Sequence, residues 1–245
     1  MNGKSSYLCE TLNPKGAYFL DLATVVPKRN GYAFKGWCTN LNDPEGTLIT
    51  DTSVGNYNSW RNVPHTDLYA VWSDPIKLDG AVITGIANKT YTGKAITQEP
   101  VVKLDGKTLT KGTDYTLSYL NNINAGTATV TVTGAGAYIG TIKKNFTIAK
   151  AANTLAAKGK TVTIKKNKKN VIKKAKAYTV KNSKGTLTFK KSKGNRKITV
   201  TKNGNITVKK GLKKGTYKVK IKITAAGNAN YKKADKTVTV KIKVK

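Results

Sequence analysis

Apolar and polar residues alternate most regularly in the last third of the chain. Residues 217–223 and 238–244 place Tyr, Val or Ile at every second position, with lysine or threonine between them. A period of two is typical of a strand with one buried and one exposed face. Shorter strand candidates cover residues 161–164, 177–180, 187–189, 198–200 and 206–208, and Asn203-Gly204 suits a tight hairpin between the last two. These short strands with Gly or Asn turns predict a small β-sandwich.

The middle of the chain has the same pattern. Strand candidates cover residues 101–104, 116–119, 128–132 and 145–148, and Asp105-Gly106 marks a turn after the first of them. The pair Gly126-Thr127 opens a strand here as Gly215-Thr216 does later, and each of these strands is followed by a loop containing Gly and Tyr and by a last strand. We therefore predict two β-sandwiches of one loose design in tandem.

The first segment is richer in aromatic and turn residues. All three tryptophans, Trp37, Trp60 and Trp72, precede residue 73, which indicates a small aromatic core. The changes in composition predict domains at residues 1–73, 75–150 and 151–245. No amphipathic helix of ten residues is evident, although residues 171–178 fit either a helix or a strand. The predicted class is mainly all-β.

Two aromatic blocks of the first segment carry a family resemblance. Residues 31–39 read Gly-Tyr-Ala-Phe-Lys-Gly-Trp-Cys-Thr, and residues 67–72 read Asp-Leu-Tyr-Ala-Val-Trp. This pair closely resembles the signature of the internalin B-repeat, also called the Listeria-Bacteroides repeat, with Cys38 where the family usually has Tyr. The resemblance implies a small β-grasp-like module of exported bacterial surface proteins that serves as a spacer or adhesive unit.

The two predicted sandwiches carry resemblances of their own. Residues 197–219 look like the bacterial Ig-like pattern of strand, Asn-Gly hairpin, strand, and Gly-Thr before the next strand. Residues 91–94, 112–115 and 125–130 resemble a related repeat of Gram-positive surface proteins. Both resemblances imply Ig-like β-sandwiches outside the bacterial cell.

The charge is concentrated in the last segment. The chain has 45 Lys plus Arg against 12 Asp plus Glu, a net charge of +33, and residues 151–245 hold 30 of the basic residues and one acid, Asp235. Such a field attracts any polyanion. Runs of neighbouring lysines are the candidate polyanion-binding residues: Lys165, Lys166, Lys168, Lys169, Lys173, Lys174, Lys190, Lys191, Lys209 and Lys210.

Three interpretations of these lysines remain open. They are a solvated face that blunts strand edges, a surface that lies against an anionic cell-wall polymer or another extracellular polyanion, or a nucleic-acid site. Specific nucleic-acid recognition is disfavoured, because the chain has three arginines for bidentate contacts and no evident aromatic groove for stacking bases.

Other candidate chemistry is sparse. The single histidine, His65, has no marked catalytic partner, so we expect no enzyme activity and no cofactor. Asp79-Gly80 and Asp105-Gly106 indicate turns rather than a metal site. Cys9 and Cys38 could form a disulfide, or both could be free packed cysteines.

The sequence also bears on where the chain acts. No apolar run approaches the roughly 20 residues that span a bilayer, and no signal peptide follows Met1. The chain is either cytoplasmic or a fragment of a longer exported protein, and the resemblances favour a stalk or adhesion segment at the bacterial cell surface. The alternative function is a specific carbohydrate- or host-ligand-binding module, with Trp60 and Tyr57 as stacking faces.

Overall fold

The computed structural model describes residues 27–29, 31–38, 40, 42–46, 48–49, 69–166 and 168–245. The protein is mainly β, with 53% of residues in strands. Its described residues contain one helix, of four residues, and none of their helices is long and apolar enough to cross a membrane. The predicted all-β class is therefore confirmed at this level.

The described residues cluster into two compact units. One unit comprises residues up to Ile86 together with Gln98–Leu120 and Thr129–Asn145. The other comprises Ala87–Thr97, Asn121–Ala128 and Phe146–Lys245. The predicted domain boundaries at residues 73 to 75 and 150 to 151 stay predictions.

A three-stranded antiparallel sheet forms the described part of the first segment. Its strands are β1 (Phe34–Cys38), β2 (Leu48–Ile49) and β3 (Tyr69–Trp72), in the order β2-β1-β3. Trp37 and Ala70 are buried, and the Phe34 ring meets Trp37 and Trp72 edge-on at centroid distances of 5.3 and 5.6 Å. An aromatic cluster is present, whereas the finer β-grasp assignment stays a prediction.

The middle segment contains nine strands. They are β4 (Ile76–Lys77), β5 (Val82–Thr84), β6 (Lys89–Thr90), β7 (Val101–Leu104), β8 (Lys107–Thr108), β9 (Tyr115–Leu120), β10 (Gly126–Gly134), β11 (Tyr138–Ile139) and β12 (Thr141–Ala149). Their sheets have the orders β5-β7-β8, β6-β12-β10-β9 and β11-β4. The hairpin between β7 and β8 turns through Asp105 and Gly106, whose φ angles of 49° and 81° are those of the predicted two-residue turn.

The core of the middle segment is made by inward positions of these strands and their loops. Its buried members are Leu78, Ile83, Val102, Leu104, Leu109, Tyr115, Val132 and Tyr138. In β10 the buried positions are Ala128, Val130 and Val132, while the alternate positions are threonines. The alternation along the sequence thus becomes one buried and one outward face, as expected for a strand on a sandwich.

The third segment contains nine further strands and the helix. They are β13 (Ala156–Gly159), β14 (Thr161–Ile164), β15 (Asn170–Ile172), α1 (Lys174–Ala177), β16 (Tyr178–Lys181), β17 (Leu187–Lys193), β18 (Ile198–Val200), β19 (Ile206–Val208), β20 (Gly215–Ala225) and β21 (Ala234–Val244). The ambiguous stretch 171–178 therefore contains the end of β15, the short α1 and the start of β16.

Two sheets enclose the core of the third segment. One has four strands in the order β14-β21-β20-β17, and the other has three in the order β15-β19-β18. Strands β17, β20 and β21 are antiparallel, whereas β14 runs parallel to β21. The buried cluster holds 16 residues, including Ile198 and Ile206 from the three-stranded sheet and Ile221, Ile223 and Ile242 from the four-stranded one. This packing of two sheets is the predicted β-sandwich.

The predicted Asn-Gly hairpin forms, but with a longer connection. Val200 pairs with Ile206, Thr201 N donates to Asn205 O and Gly204 N donates to Thr201 O, each at 2.9 Å, and Gly204 has a φ of +87°. This is a three-residue loop with glycine in the left-handed position. Gly204 is buried, and the Tyr178 hydroxyl donates to its carbonyl oxygen. Because a Cβ on Gly204 would lie 3.0 Å from the Phe189 ring, glycine is needed for space as well as for conformation.

Candidate polyanion-binding surface

The four-stranded sheet of the third segment has one face turned away from the core. In β20 the positions Val219, Ile221 and Ile223 are buried, so the alternate residues point outward, and three of these are lysines. The pattern recurs in β21, where Val240 and Ile242 are buried. The apolar alternation that fixes the core therefore fixes the direction of the lysines.

Strand β17 adds two lysines at the edge of this face. Lys190 pairs with Lys222, and Lys193 pairs with Lys220 after a register shift between Lys191 and Lys193. Since directly paired residues share a face, the shift brings Lys193 to the outward side. Such a bulge also disfavours pairing of this edge with another strand.

Seven lysines thus occupy outward positions on three neighbouring strands. We call them the lysine stripe: Lys190, Lys193, Lys218, Lys220, Lys222, Lys241 and Lys243. Threonines occupy most of the remaining outward positions of the sheet: Thr161, Thr163, Thr188, Thr216, Thr224, Thr237 and Thr239. The face presents ammonium groups and hydroxyls, which can bind anions but provide no pair of nucleophile and base.

Three pairs of stripe lysines lie directly opposite each other. The cross-strand pairs are Lys190 with Lys222, Lys193 with Lys220, and Lys218 with Lys241. Opposed residues on adjacent strands have Cα atoms about 5 Å apart, and like charges at such positions destabilise a sheet. A bound anion would relieve this repulsion.

One acidic residue, Asp235, lies at the end of the face. Its Oδ2 is 2.8 Å from Lys222 Nζ, and Thr224 Oγ1 donates to its Oδ1. The hydrogen bond from Lys222, followed by that from Thr224, lowers the pKa of the Asp235 carboxyl below its usual value. Asp235 therefore stays ionised and neutralises part of the charge of Lys222.

The lysine runs chosen from sequence are mostly elsewhere. Of the ten, Lys190 lies on the stripe. Lys191 is half-buried, and its Nζ donates to Ile198 O at 2.7 Å and to Asn195 O at 3.1 Å. Adjacent residues of a strand point to opposite faces, so the Lys190-Lys191 run is divided between solvent and a structural role.

The remaining eight predicted lysines are exposed and lie on the connections next to strands or in the short helix. Four of them, Lys165, Lys166, Lys168 and Lys169, lie between β14 and β15; Lys173 and Lys174 lie at α1; and Lys209 and Lys210 follow β19. The structure does not arrange them with the stripe on one sheet face. Their part in binding stays a prediction.

The signal for the stripe was present in the sequence. Lysines at every second residue, as in Lys218, Lys220 and Lys222 or in Lys241 and Lys243, form one face of a strand. Lysines that are neighbours in the sequence are close along the chain, but they do not lie together on one face of the sheet. Lys193 was less accessible to sequence reasoning, because its direction depends on the register shift in β17.

Other predicted sites lie largely outside the described residues. Trp60, Tyr57, His65 and Cys9 are in that group, so glycan stacking and the Cys9–Cys38 disulfide stay predictions. Cys38 is buried, and its Sγ lies 3.6 Å from Asn40 O as a weak donor. The described residues contain no group of three or more side chains suited to holding a metal ion.

No protein-family model matches the chain, and no curated protein matches it. Among solved structures, mouse clustered protocadherin PcdhgC3 EC1-3 is similar at 10% identity and a TM-score of 0.33, covering 74% of this chain and 73% of that one. A SusE-like surface-located polysaccharide-binding protein from the Bacteroides thetaiotaomicron heparin utilisation locus is similar at 14% identity and a TM-score of 0.25, covering 67% and 34%.

The S-layer protein rSbsC is similar at 18% identity and a TM-score of 0.29, covering 92% of this chain and 38% of that one. These similarities are to β-sandwich repeats and to bacterial surface proteins, and they do not assign the chain to a family. The resemblance to the internalin B-repeat therefore rests on residues 31–39 and 67–72 alone.

Proposed function

We propose that this chain is a non-enzymatic stalk and adhesion segment of an exported bacterial cell-surface protein, and that its third segment binds anionic cell-wall polymer through the lysine stripe. The observation that carries the binding part is the collection of seven lysines on one sheet face with one acid beside them. Such a face concentrates positive potential where a polymer can reach it.

The cost of the stripe supports a binding role. A solvated face needs charge, but it does not need lysines opposite lysines, because mixed signs keep a surface soluble without repulsion. Asp235 is the one acid at the outward positions of β17, β20 and β21. The fold does not require the repulsion between opposed lysines. A polyanion that supplies the opposite charge would offset this repulsion and so explain why the lysines lie on one face.

Contacts around the start of the third segment support the stalk role. Ala151 N donates to Asn230 O, and Lys232 N donates to Ala151 O, each at 2.9 Å. The Asn230 side chain accepts from Ala125 N at 2.9 Å and donates to Asn124 Oδ1 at 3.0 Å. Asn124, Ala125 and Ala151 are therefore bonded to the loop before β21, which favours a spacer that resists bending over a loose linker.

Binding to purified bacterial wall, with and without its anionic polymer, tests the proposal. The intact chain should bind the complete wall, and binding should be lost when the polymer is removed. The logarithm of affinity should fall with the logarithm of salt concentration with a slope of about −4 to −6, if five to seven lysines each release counterions from a phosphate. Absence of binding at low salt, or binding that is insensitive to salt, would overturn the proposal.

A further inference from the structure

The stripe has a direction that sequence charge does not reveal. On β17 and β20 the lysines begin at the row of Lys190 and Lys222, and on β20 and β21 they continue to Lys218 and Lys241. The stripe ends at Lys243, opposite Thr216. It therefore crosses the sheet diagonally, from the edge strand β17 to the central strand β21.

The dimensions of the stripe follow from strand geometry. From the row of Lys222 to the row of Thr216 is six residues, or about 20 Å along the strand, and the two strand spacings add about 10 Å sideways. The stripe is thus about 22 Å long and no more than two lysines wide in any row. Threonines lie beside it, with Thr237 and Thr239 on one side and Thr216 on the other.

We infer that the stripe is a binding track for a single, linear, flexible phosphodiester chain without bases, laid diagonally across the four-stranded sheet. This inference rests on the proposed function and names its ligand class. Lysine binds phosphate as a compact point charge, and threonine hydroxyls can donate hydrogen bonds beside it. Successive rows of outward residues are about 7 Å apart along a strand, so a chain whose charges have a similar spacing would place about four or five phosphates along the stripe.

The surface chemistry disfavours nucleic acids. Single-stranded nucleic acid binds best where aromatic side chains stack the bases, and the outward positions of β17, β20 and β21 hold no aromatic residue. Duplex DNA presents two phosphate strands separated by grooves of about 6 and 12 Å, so a narrow stripe contacts few of its phosphates. Arginine, the bidentate partner of phosphate and guanine, is also absent from these positions.

The test compares two variants of equal charge in the full chain. The stripe variant carries Lys218→Thr, Lys220→Thr and Lys241→Thr, and the loop variant carries Lys165→Thr, Lys168→Thr and Lys169→Thr. Threonine already fills the neighbouring outward positions, so the stripe variant should keep its circular dichroism spectrum. It should melt at the same or a slightly higher temperature, because two opposed lysine pairs are removed. The probe is poly(glycerol phosphate) of defined length. Its affinity is measured by calorimetry at salt concentrations from about 0.05 to 0.3 M, where counterion release dominates the salt dependence.

The stripe variant should lose about 100-fold in affinity near 0.1 M salt, with a slope less steep by about 2 to 3, because each phosphate contact contributes about 0.7 to 0.9. The loop variant should lose less than about 3-fold, since it changes only the long-range field. Affinity should rise steeply with oligomer length up to about five phosphates and only weakly beyond that.

Each of the other possible results would reject one part of the proposal: the stripe, the ligand class or the proposed function. Equal losses in the two variants would reject the stripe and leave the proposed polymer binding intact. Stronger, stripe-dependent binding of duplex DNA, single-stranded DNA or a sulfated polysaccharide at equal charge concentration would reject the ligand class. Failure of the wild-type chain to bind any of these polymers would reject the proposed function itself.

Discussion

The two four-stranded sheets of this protein share a topology and differ in surface chemistry. Each has a short edge strand parallel to the last strand of its segment, followed by two earlier strands, in the orders β6-β12-β10-β9 and β14-β21-β20-β17. The outward positions of β9, β10 and β12 are mostly threonine, with Lys143 as their lysine: Thr116, Ser118, Leu120, Thr127, Thr129, Thr131, Thr133, Thr141, Lys143, Asn145, Thr147 and Ala149. The corresponding strands of the third segment carry seven lysines.

This difference distinguishes the residues that the fold requires, at inward positions, from the residues that determine the surface chemistry, at outward positions. Both sheets use inward Val, Ile and aromatic residues to form their cores, so the inward positions determine the sandwich. The outward positions accept threonine in one sheet and lysine in the other. The lysines are consequently not required by the strand pairing, and a separate cause is needed for their concentration on one face.

The largest expected effect contrasts neighbouring inward and outward residues of β20. Ile221 is fully buried, and its replacement by alanine removes methylene groups and leaves a cavity, so Ile221→Ala should lower the free energy of unfolding by about 2–5 kcal/mol. The adjacent exposed change, Lys220→Thr, should alter it by less than about 0.5 kcal/mol. Chemical denaturation followed by circular dichroism measures both, and equal losses would contradict the separation of the two faces.

Transfer of the lysine pattern to the middle sheet should transfer binding. In the background of the stripe variant, Thr116→Lys, Ser118→Lys, Thr131→Lys and Thr133→Lys create two opposed lysine pairs on β9 and β10. Affinity for poly(glycerol phosphate) should rise by about 10- to 100-fold at 0.1 M salt, with a slope steeper by about 3. Four lysines placed on the connection between β9 and β10, at residues 121–125, are the control. If both sets of lysines restored binding equally, affinity would depend on the number of lysines and not on their arrangement on a sheet face.

A buried tyrosine in each sandwich offers a comparison of their cores. Burial raises the pKa of Tyr178 to about 12, and it also raises the pKa of Tyr115. The unfolded state ionises near pH 10, whereas folded Tyr178 remains neutral until about pH 12, so stability is full below pH 10 and falls between pH 10 and 12.

The size of this alkaline loss should be about 1–2 kcal/mol for the third sandwich. Lysines also lose charge in this range, but they do so equally in Tyr178→Phe, so the difference between wild type and variant isolates the tyrosine. Denaturation at pH 9, 10, 11 and 12 gives that difference. A constant difference across the series would show that Tyr178 ionises equally in both states.

The smallest expected effect concerns the one acid beside the stripe. Asp235→Asn removes the partner of Lys222 and should raise affinity for poly(glycerol phosphate) by about 3- to 10-fold at 0.1 M salt, with a slope steeper by about one. Glu99→Gln, which removes the partner of Lys111 at 2.8 Å in the middle segment, is the matched control and should change affinity little. A larger gain from Glu99→Gln would locate binding away from the third segment.

Sequence alternation predicted most of the fold. The ranges of β7, β14, β18 and β19 match their predictions, and the cores of β9, β10, β12, β20 and β21 lie where they were expected. Local pattern could not predict the parallel pairings of β6 and β14, because these join residues far apart in sequence and depend on the packing of the whole sandwich.

The candidate site was harder to predict, because it depends on register. The sequence predicted binding by consecutive lysines, although consecutive residues of a strand point to opposite faces, as Lys190 and Lys191 do. The diagonal course of the stripe requires the pairing of β17 with β20 and of β20 with β21. The turn at Asn203-Gly204 shows the same limit. The dipeptide predicts a hairpin, but the hydrogen bond from the Tyr178 hydroxyl to Gly204 O depends on how the core packs and is not visible in the sequence.

Lysine footprinting tests the central claim most directly. The full chain is treated with a small amine-acylating reagent with and without poly(glycerol phosphate) at low salt, and modification of each lysine is measured by mass spectrometry. We expect strong protection of Lys218, Lys220, Lys241 and Lys243, with little change at Lys165, Lys168 and Lys169. Uniform protection of all lysines, or protection confined to the loop lysines, would contradict binding along the stripe.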